Sequence, residues 1–177
     1  MRLQLYTVGH STRTLAELVA LLREFNVQAL ADVRRWPSSK RLPQFNRDSL
    51  EAYLPQVGVE YLWLGRELGG FIREGLGENS PNKAWRSEGF RNYADHTLTT
   101  AFAEGVERLL SVAQAKTTAY MCAEKLPWRC HRRIVSDYVT ANGYKVVHLI
   151  DLGRAVEHRL PSFARVNGER LTYPARG

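Results

Sequence analysis

The 177-residue chain carries 25 basic and 18 acidic side chains, giving a formal charge of +7 and an isoelectric point near 9.7. Its 44% hydrophobic and 24% charged content excludes a disordered or collagen-like chain, and no apolar run approaches membrane-spanning length. Two cysteines cannot build the disulfide framework of a small secreted protein, so reduced thiols are expected. With no signal-peptide pattern in view, the cytoplasm is the expected compartment. The length suits one α/β domain over 1–177, with its core at about 5–150 and an extension at 151–177. Twenty arginines stand against five lysines, and arginine is the better bidentate partner for oxyanions. An anionic small molecule or nucleic acid is therefore the expected partner, and a membrane is not. The same charge also fits an ordinary solvated surface.

In chain order, Leu3–Val8 reads as a first strand running into Gly9-His10-Ser11. Thr14 with Glu17 three residues later forms a capping-box pattern, followed by Leu15, Leu18, Val19, Leu22 and Phe25 at helical spacing. Val27–Val33 gives a second strand ending at Asp32-Val33-Arg34. A basic, proline-containing loop, 35–46, precedes a helix started by Asp48 and Glu51 and ending near Gly58. Val59–Leu64 is a third strand, and the glycine-rich, charged stretch from Gly65 to Arg86 is expected to be a long excursion. Apolar positions from Phe90 to Leu110 supply one or two helices. Thr117–Met121 is a fourth strand, Pro127 to Asn142 a helix stopped by Gly143, and Lys145–Ile150 a fifth strand. Asn167-Gly168 between Arg165 and Tyr173 marks a hairpin.

Alternating strands and helices imply right-handed crossovers and a three-layer, Rossmann-like α/β fold. The expected core is a mostly parallel five-stranded sheet with helices on both faces, plus the C-terminal hairpin. Ligands of such sheets bind beyond the carboxyl ends of the strands. His10, Asp32, Arg34, Cys122 and Glu124 all fall at those ends. The densest segment is Cys122-Ala-Glu124-Lys-Leu-Pro127-Trp-Arg129-Cys130-His131-Arg132-Arg133, between a strand and a helix start. A helix N-terminus there presents unpaired N–H groups and a positive dipole end to an anion.

Several of these motifs together, and in order, resemble the domain-of-unknown-function family numbered 488. They are Thr7-Val-Gly9-His10-Ser11, Asp32-Val-Arg34 with Pro37-Ser38, Pro43-Gln-Phe45, Tyr61 with Leu68-Gly69-Gly70, and Cys122-Ala-Glu124 with Pro127 and Cys130-His131-Arg132. The resemblance runs from about Leu5 to Ile150. It implies a fold and the place of a site, and it carries no reaction and no cofactor.

The residues themselves suggest chemistry. A cysteine at a strand end, facing a helix start and arginines, would have a lowered pKa and act as a thiolate nucleophile. A small buried side chain is the other reading of Cys122. The arginine of phosphatase loops stands six positions after the cysteine; here that position is Trp128, and Arg129 comes one later. Glu124, Asp32, His131 and His10 are the candidate proton-handling groups. Asp32 with Arg34 also reads as a loop-fixing ion pair. Gly9, Ser11, Arg34, Arg129 and Arg132 are the candidate anion-binding residues. Cys122, Cys130, His131 and His10 are soft-ligand types, but their spacing lacks the zinc-knuckle pattern and no metal site is assigned. Trp36 and Phe45, interleaved with Arg34, Arg35, Lys40 and Arg41, are candidates for stacking on a base. The expected function is an enzyme acting on a phosphate-bearing or other anionic substrate at this pocket. The alternatives are a non-catalytic nucleic-acid-binding protein and, more weakly, a thiol redox protein using Cys122 and Cys130.

Overall fold

The computed structural model describes residues 3–176. Five strands run parallel: β1 (Gln4–Gly9), β2 (Ala29–Asp32), β3 (Glu60–Trp63), β4 (Thr118–Cys122) and β5 (Lys145–Asp151). A sixth, β6 (Arg154–Glu157), adds antiparallel to β5, and the sheet order is β3-β2-β4-β1-β5-β6. The fold class is as expected, with one strand more than the expected five. Every residue of β6 is exposed, so it offers no apolar alternation to read. The C-terminal hairpin pairs β7 (Arg165–Asn167) with β8 (Arg170–Thr172). Its turn is Gly168-Glu169, one residue later than Asn167-Gly168.

Helix α1 (Leu15–Glu24) starts at Thr14 with the complete capping box, and α2 (Arg47–Tyr53) follows Asn46, one residue ahead of the expected Asp48. The excursion opens with a one-turn helix, α3 (Gly65–Leu68), before α4 (Glu88–His96) and α5 (Thr100–Ala115). The helix expected from Pro127 is shorter. Pro127–Arg129 makes a 3-10 turn, Cys130 is extended, and α6 covers Arg132–Ala141.

Side chains along a strand alternate between faces, and here the alternation separates two cores. Leu5, Ala31, Val33, Tyr120 and Cys122 pack with Tyr93 of α4, Phe102 and Leu109 of α5, and Ile134 and Val135 of α6. Val8, Leu30, Ala119 and Met121 pack on the other face with Leu18 and Leu22 of α1 and with Phe45, Leu50 and Leu54. This period of two decides where the polar residues at the strand ends can go.

Candidate active site

Cys122 ends β4 directly opposite Gly9, the end of β1. The pairing continues past both strands, with His10 N donating to Cys122 O at 3.0 Å and Ser11 N to Ala123 O at 2.9 Å. A Cβ on Gly9 would lie 1.7 Å from Glu124 O, so the loop can cross here only over glycine. Arg132, fully buried at the start of α6, holds that loop from behind. Its Nη2 donates to Glu124 O at 2.8 Å and Lys125 O at 3.2 Å, and its Nη1 to Thr7 Oγ1 at 2.8 Å. No carboxylate lies within 4 Å of its guanidinium among the described residues. Arg132, expected to hold an external anion, instead holds backbone carbonyls next to a thiol.

Cys130 Sγ donates to Cys122 Sγ across 3.1 Å and lies 3.2 Å from His131 Nδ1. His131 Nε2 is 3.0 Å from Val33 O, an acceptor only, so Nε2 carries the ring proton and Nδ1 is free to accept. Burial keeps this imidazole neutral, lowering its pKa to about 4. Burial alone would push the Cys122 thiol up. The Cys130 hydrogen bond, the Arg132 charge and a backbone hydrogen bond at Glu124 outweigh it and bring the thiol down to about 7. Cys130 moves the opposite way, driven up by its bond to Cys122 and by burial. Gly70 is what lets the excursion close over His131, since a Cβ there would sit 2.8 Å from Nδ1.

His10 and Asp32 belong to the other face. The His10 ring stacks on Phe45 at 4.5 Å between centroids; its Nδ1 donates to Ser11 O at 2.9 Å and its Nε2 accepts from Arg34 Nη1 at 3.2 Å. Burial pulls its pKa down to about 4. Asp32 is fully buried and its oxygens are occupied. Oδ1 accepts from Arg34 N at 3.1 Å and Arg34 Nε at 2.8 Å, and Oδ2 from Arg34 Nη2 at 2.6 Å and the Tyr61 hydroxyl at 2.5 Å. Phe45, expected as a stacking surface for a base, is fully buried beneath His10 and unavailable. Arg35 is also spent inside, on Gly70 O at 2.7 Å and Gly69 O at 3.1 Å.

Two cavities adjoin along Ala123, Glu124 and Arg129. One, about 460 Å³, has Cys122, Cys130 and His131 at its floor with Arg34, Phe71, Phe90 and Tyr93 around it. The other, about 540 Å³, is lined by His10 and Ser11 with the cations Arg41, Lys125, Arg129 and Arg154. Lys125 pairs with Asp151 at 3.0 Å; Arg41, Arg129 and Arg154 have no carboxylate within 4 Å among the described residues. Asp32 lines neither cavity, and Arg34 connects it to the first. Trp36 (61% exposed) and Phe71 (78% exposed) meet at 5.4 Å between centroids near the first cavity's mouth. Phe71 holds a left-handed backbone, φ +62°, a costly conformation for a bulky residue. No cluster of three or more metal-ligand side chains forms among the described residues, and no helix there is long and apolar enough to cross a membrane.

The model for Domain of unknown function DUF488 matches residues 14–139. The chain belongs to the DUF488 family. No curated protein and no solved structure matches it. The DUF488 match contains Asp32, Arg34, Cys122, Glu124 and the Cys130-His131-Arg132 run, while Gly9, His10 and Ser11 precede it.

Residues on both sides of the DUF488 match complete a buried polar chain that sequence reasoning missed. Thr7 Oγ1 lies 2.6 Å from His148 Nδ1, His148 Nε2 lies 2.8 Å from His158 Nδ1, and His158 Nε2 lies 2.6 Å from Asp137 Oδ1. The Tyr173 hydroxyl donates to Asp137 Oδ2 at 2.7 Å. Because Arg132 can only donate, the donors have one consistent order, from Arg132 through Thr7, His148 and His158 to Asp137. Burial first, then the neighbouring His158, lowers the His148 pKa to about 3. The sequence signal was a histidine inside the apolar strand Val146-Val147-His148-Leu149-Ile150 and an aspartate on the inward side of α6.

Proposed function

We propose that this protein is an enzyme whose Cys122 thiolate attacks an electrophilic atom of an anionic substrate that also carries a flat aromatic group, as a nucleotide does. The bond to the leaving group breaks as the sulfur bond forms, and that group takes a proton from solvent. The observation that carries this reading is the Cys122 sulfur at a cavity floor, 3.1 Å from a donating thiol and beside a buried guanidinium without a carboxylate partner among the described residues. A buried cation and a hydrogen-bond donor both favour the charged sulfur. Arg129, on the rim of both cavities, with Arg41 and Arg154, would hold phosphate-like oxygens. Phe71, Phe90 and Tyr93 would take the aromatic part. Cys130 would exchange the sulfur's proton, the neutral His131 ring would orient Cys130, and Glu124, exposed at the shared rim, would pass the proton to solvent. His10, Asp32 and Arg34 act as a rigid clamp under the loop, and Gly9 and Ser11 spend their backbone on the strand junction. Reduced thiols at the centre suit the cytoplasm. Residues 1–177 are read as one domain because His158 and Tyr173 close onto Asp137.

Alkylation by iodoacetamide, mapped by peptide mass spectrometry, tests the thiolate. Cys122 is expected to titrate at about 7, against about 8.5 for an ordinary thiol. Nucleotides should slow its labelling in wild type and fail to do so in Arg129→Ala. An inert Cys122, or one titrating like a free thiol, removes the nucleophile and the proposal with it. The exposed Trp36–Phe71 pair near the mouth of the cysteine-floored cavity, which the cationic cleft adjoins, favours a second reading, non-catalytic binding of single-stranded nucleic acid. That reading requires oligonucleotide affinity that falls steeply with salt and survives Cys122→Ser.

A further inference from the structure

Cys122 and Cys130 are the only cysteines in the chain, and both line the same cavity. Their sulfurs lie 3.1 Å apart, about 1 Å more than a disulfide bond requires. Their roles are unequal: Arg132 and the Glu124 backbone favour charge on Cys122, whereas Cys130 keeps its proton and has an acceptor, His131 Nδ1, within 3.2 Å. A thiolate paired with a protonated resolving thiol is the arrangement of redox-active dithiols.

We propose that Cys122 and Cys130 form a redox couple in which a small hydroperoxide oxidises Cys122 and Cys130 resolves the product as an intramolecular disulfide. This goes beyond the nucleophilic reading above while resting on the same thiolate. In the first step the Cys122 thiolate attacks the terminal peroxide oxygen, and the O–O bond breaks. The alkoxide or hydroxide leaves and takes a proton from solvent. Cys122 becomes a sulfenic acid, losing two electrons that the peroxide gains. In the second step the Cys130 sulfur attacks Cys122 and gives up its thiol proton toward the sulfenic oxygen. The S–S bond forms, the S–O bond breaks, and the departing hydroxide recovers that proton as water. An external dithiol returns two electrons and two protons, restoring both thiols and being oxidised to its own disulfide. Glu124 lies within the loop that this disulfide closes, so oxidation would also hold the cavity rim in place.

The test exposes the reduced full-length protein to one equivalent of hydrogen peroxide and follows its intact mass, with dimedone present to trap sulfenic acid. Wild type is expected to lose two hydrogens, to take up no dimedone, to stay monomeric on non-reducing gels and to recover with dithiothreitol. Cys130→Ser is expected to lose the disulfide and gain a dimedone adduct on Cys122. Wild type that carries the dimedone adduct, goes on to sulfinic acid, forms intermolecular disulfides or does not react overturns the couple. The alkylation titration separates the two proposals. A Cys122 that titrates near 7 yet forms no internal disulfide defeats the redox couple alone, and a Cys122 inert to both reagents defeats both.

Discussion

Gly9→Ala would push a methyl group into the Glu124 carbonyl, 1.7 Å from where its Cβ must sit, and neither strand end has room to yield. Displacing this buried backbone should cost about 3 kcal/mol, read as a lower thermal midpoint, and should slow Cys122 alkylation in whatever folds. Arg132→Gln tests the charge behind the thiol. It should raise the Cys122 titration by about one unit and cost about 3 kcal/mol through the lost bonds to Thr7, Glu124 and Lys125. An unchanged titration in a folded variant would remove Arg132 from the electrostatics of the site. The types and addresses of these residues were legible in the sequence, because strand ends gather polar groups in any parallel sheet. Their division into two cavities was not. His10 shares a sheet face with Val8 and Phe45, and Cys122 shares the other with Tyr120, so strand parity separates residues that neighbour each other at the sheet rim. Phe45 illustrates the same gap: an aromatic in a basic loop reads as a stacking surface until the ring beneath which it packs is known.

At the scale of elements, α6 is fastened to the sheet by the polar chain from Arg132 to Asp137, and β5 and the C-terminal extension contribute its histidines. Thr7→Val keeps the shape and removes the hydroxyl that joins Arg132 to His148. It should cost about 1–2 kcal/mol and loosen Arg132, so the Cys122 titration moves upward with it. A merely structural Thr7 would lower the midpoint without moving that titration. The excursion between β3 and α4 was readable as long and glycine-rich, but its anchoring was not. Asp95 of α4 accepts from Leu76 N at 2.8 Å, Ser80 Oγ at 2.6 Å and Asn82 Nδ2 at 2.7 Å, and Asn92 donates to Ile72 O and Arg73 O. Those partners lie on a later helix, and single-sequence patterns carry no such pairing.

For the whole molecule, three buried neutral histidines set the acid limit. Burial lowers His10 and His131 to about 4 and His148 to about 3, against about 6.5 in an unfolded chain. As pH falls through 6.5 the unfolded chain takes up protons that the folded one refuses, so stability is full above that pH and declines below it. By about pH 4.5 each histidine should have removed about 2.5 kcal/mol, measured as urea-unfolding free energy across a pH series. A flat profile between about pH 6.5 and 4.5 would show that these rings are hydrated and free to titrate.

The strand order also governs how the protein comes into being. β1 is made before the other parallel strands but lies between β4 and β5, the last two of them in chain order, and the five parallel strands have no hairpin to pair them locally. A nascent chain therefore holds β1 unpaired until β4 has emerged, a segment for which chaperones would compete. Gly9 cannot meet Cys122 before β4 has been made, so the nucleophile is unarmed in any chain that stops short of that strand.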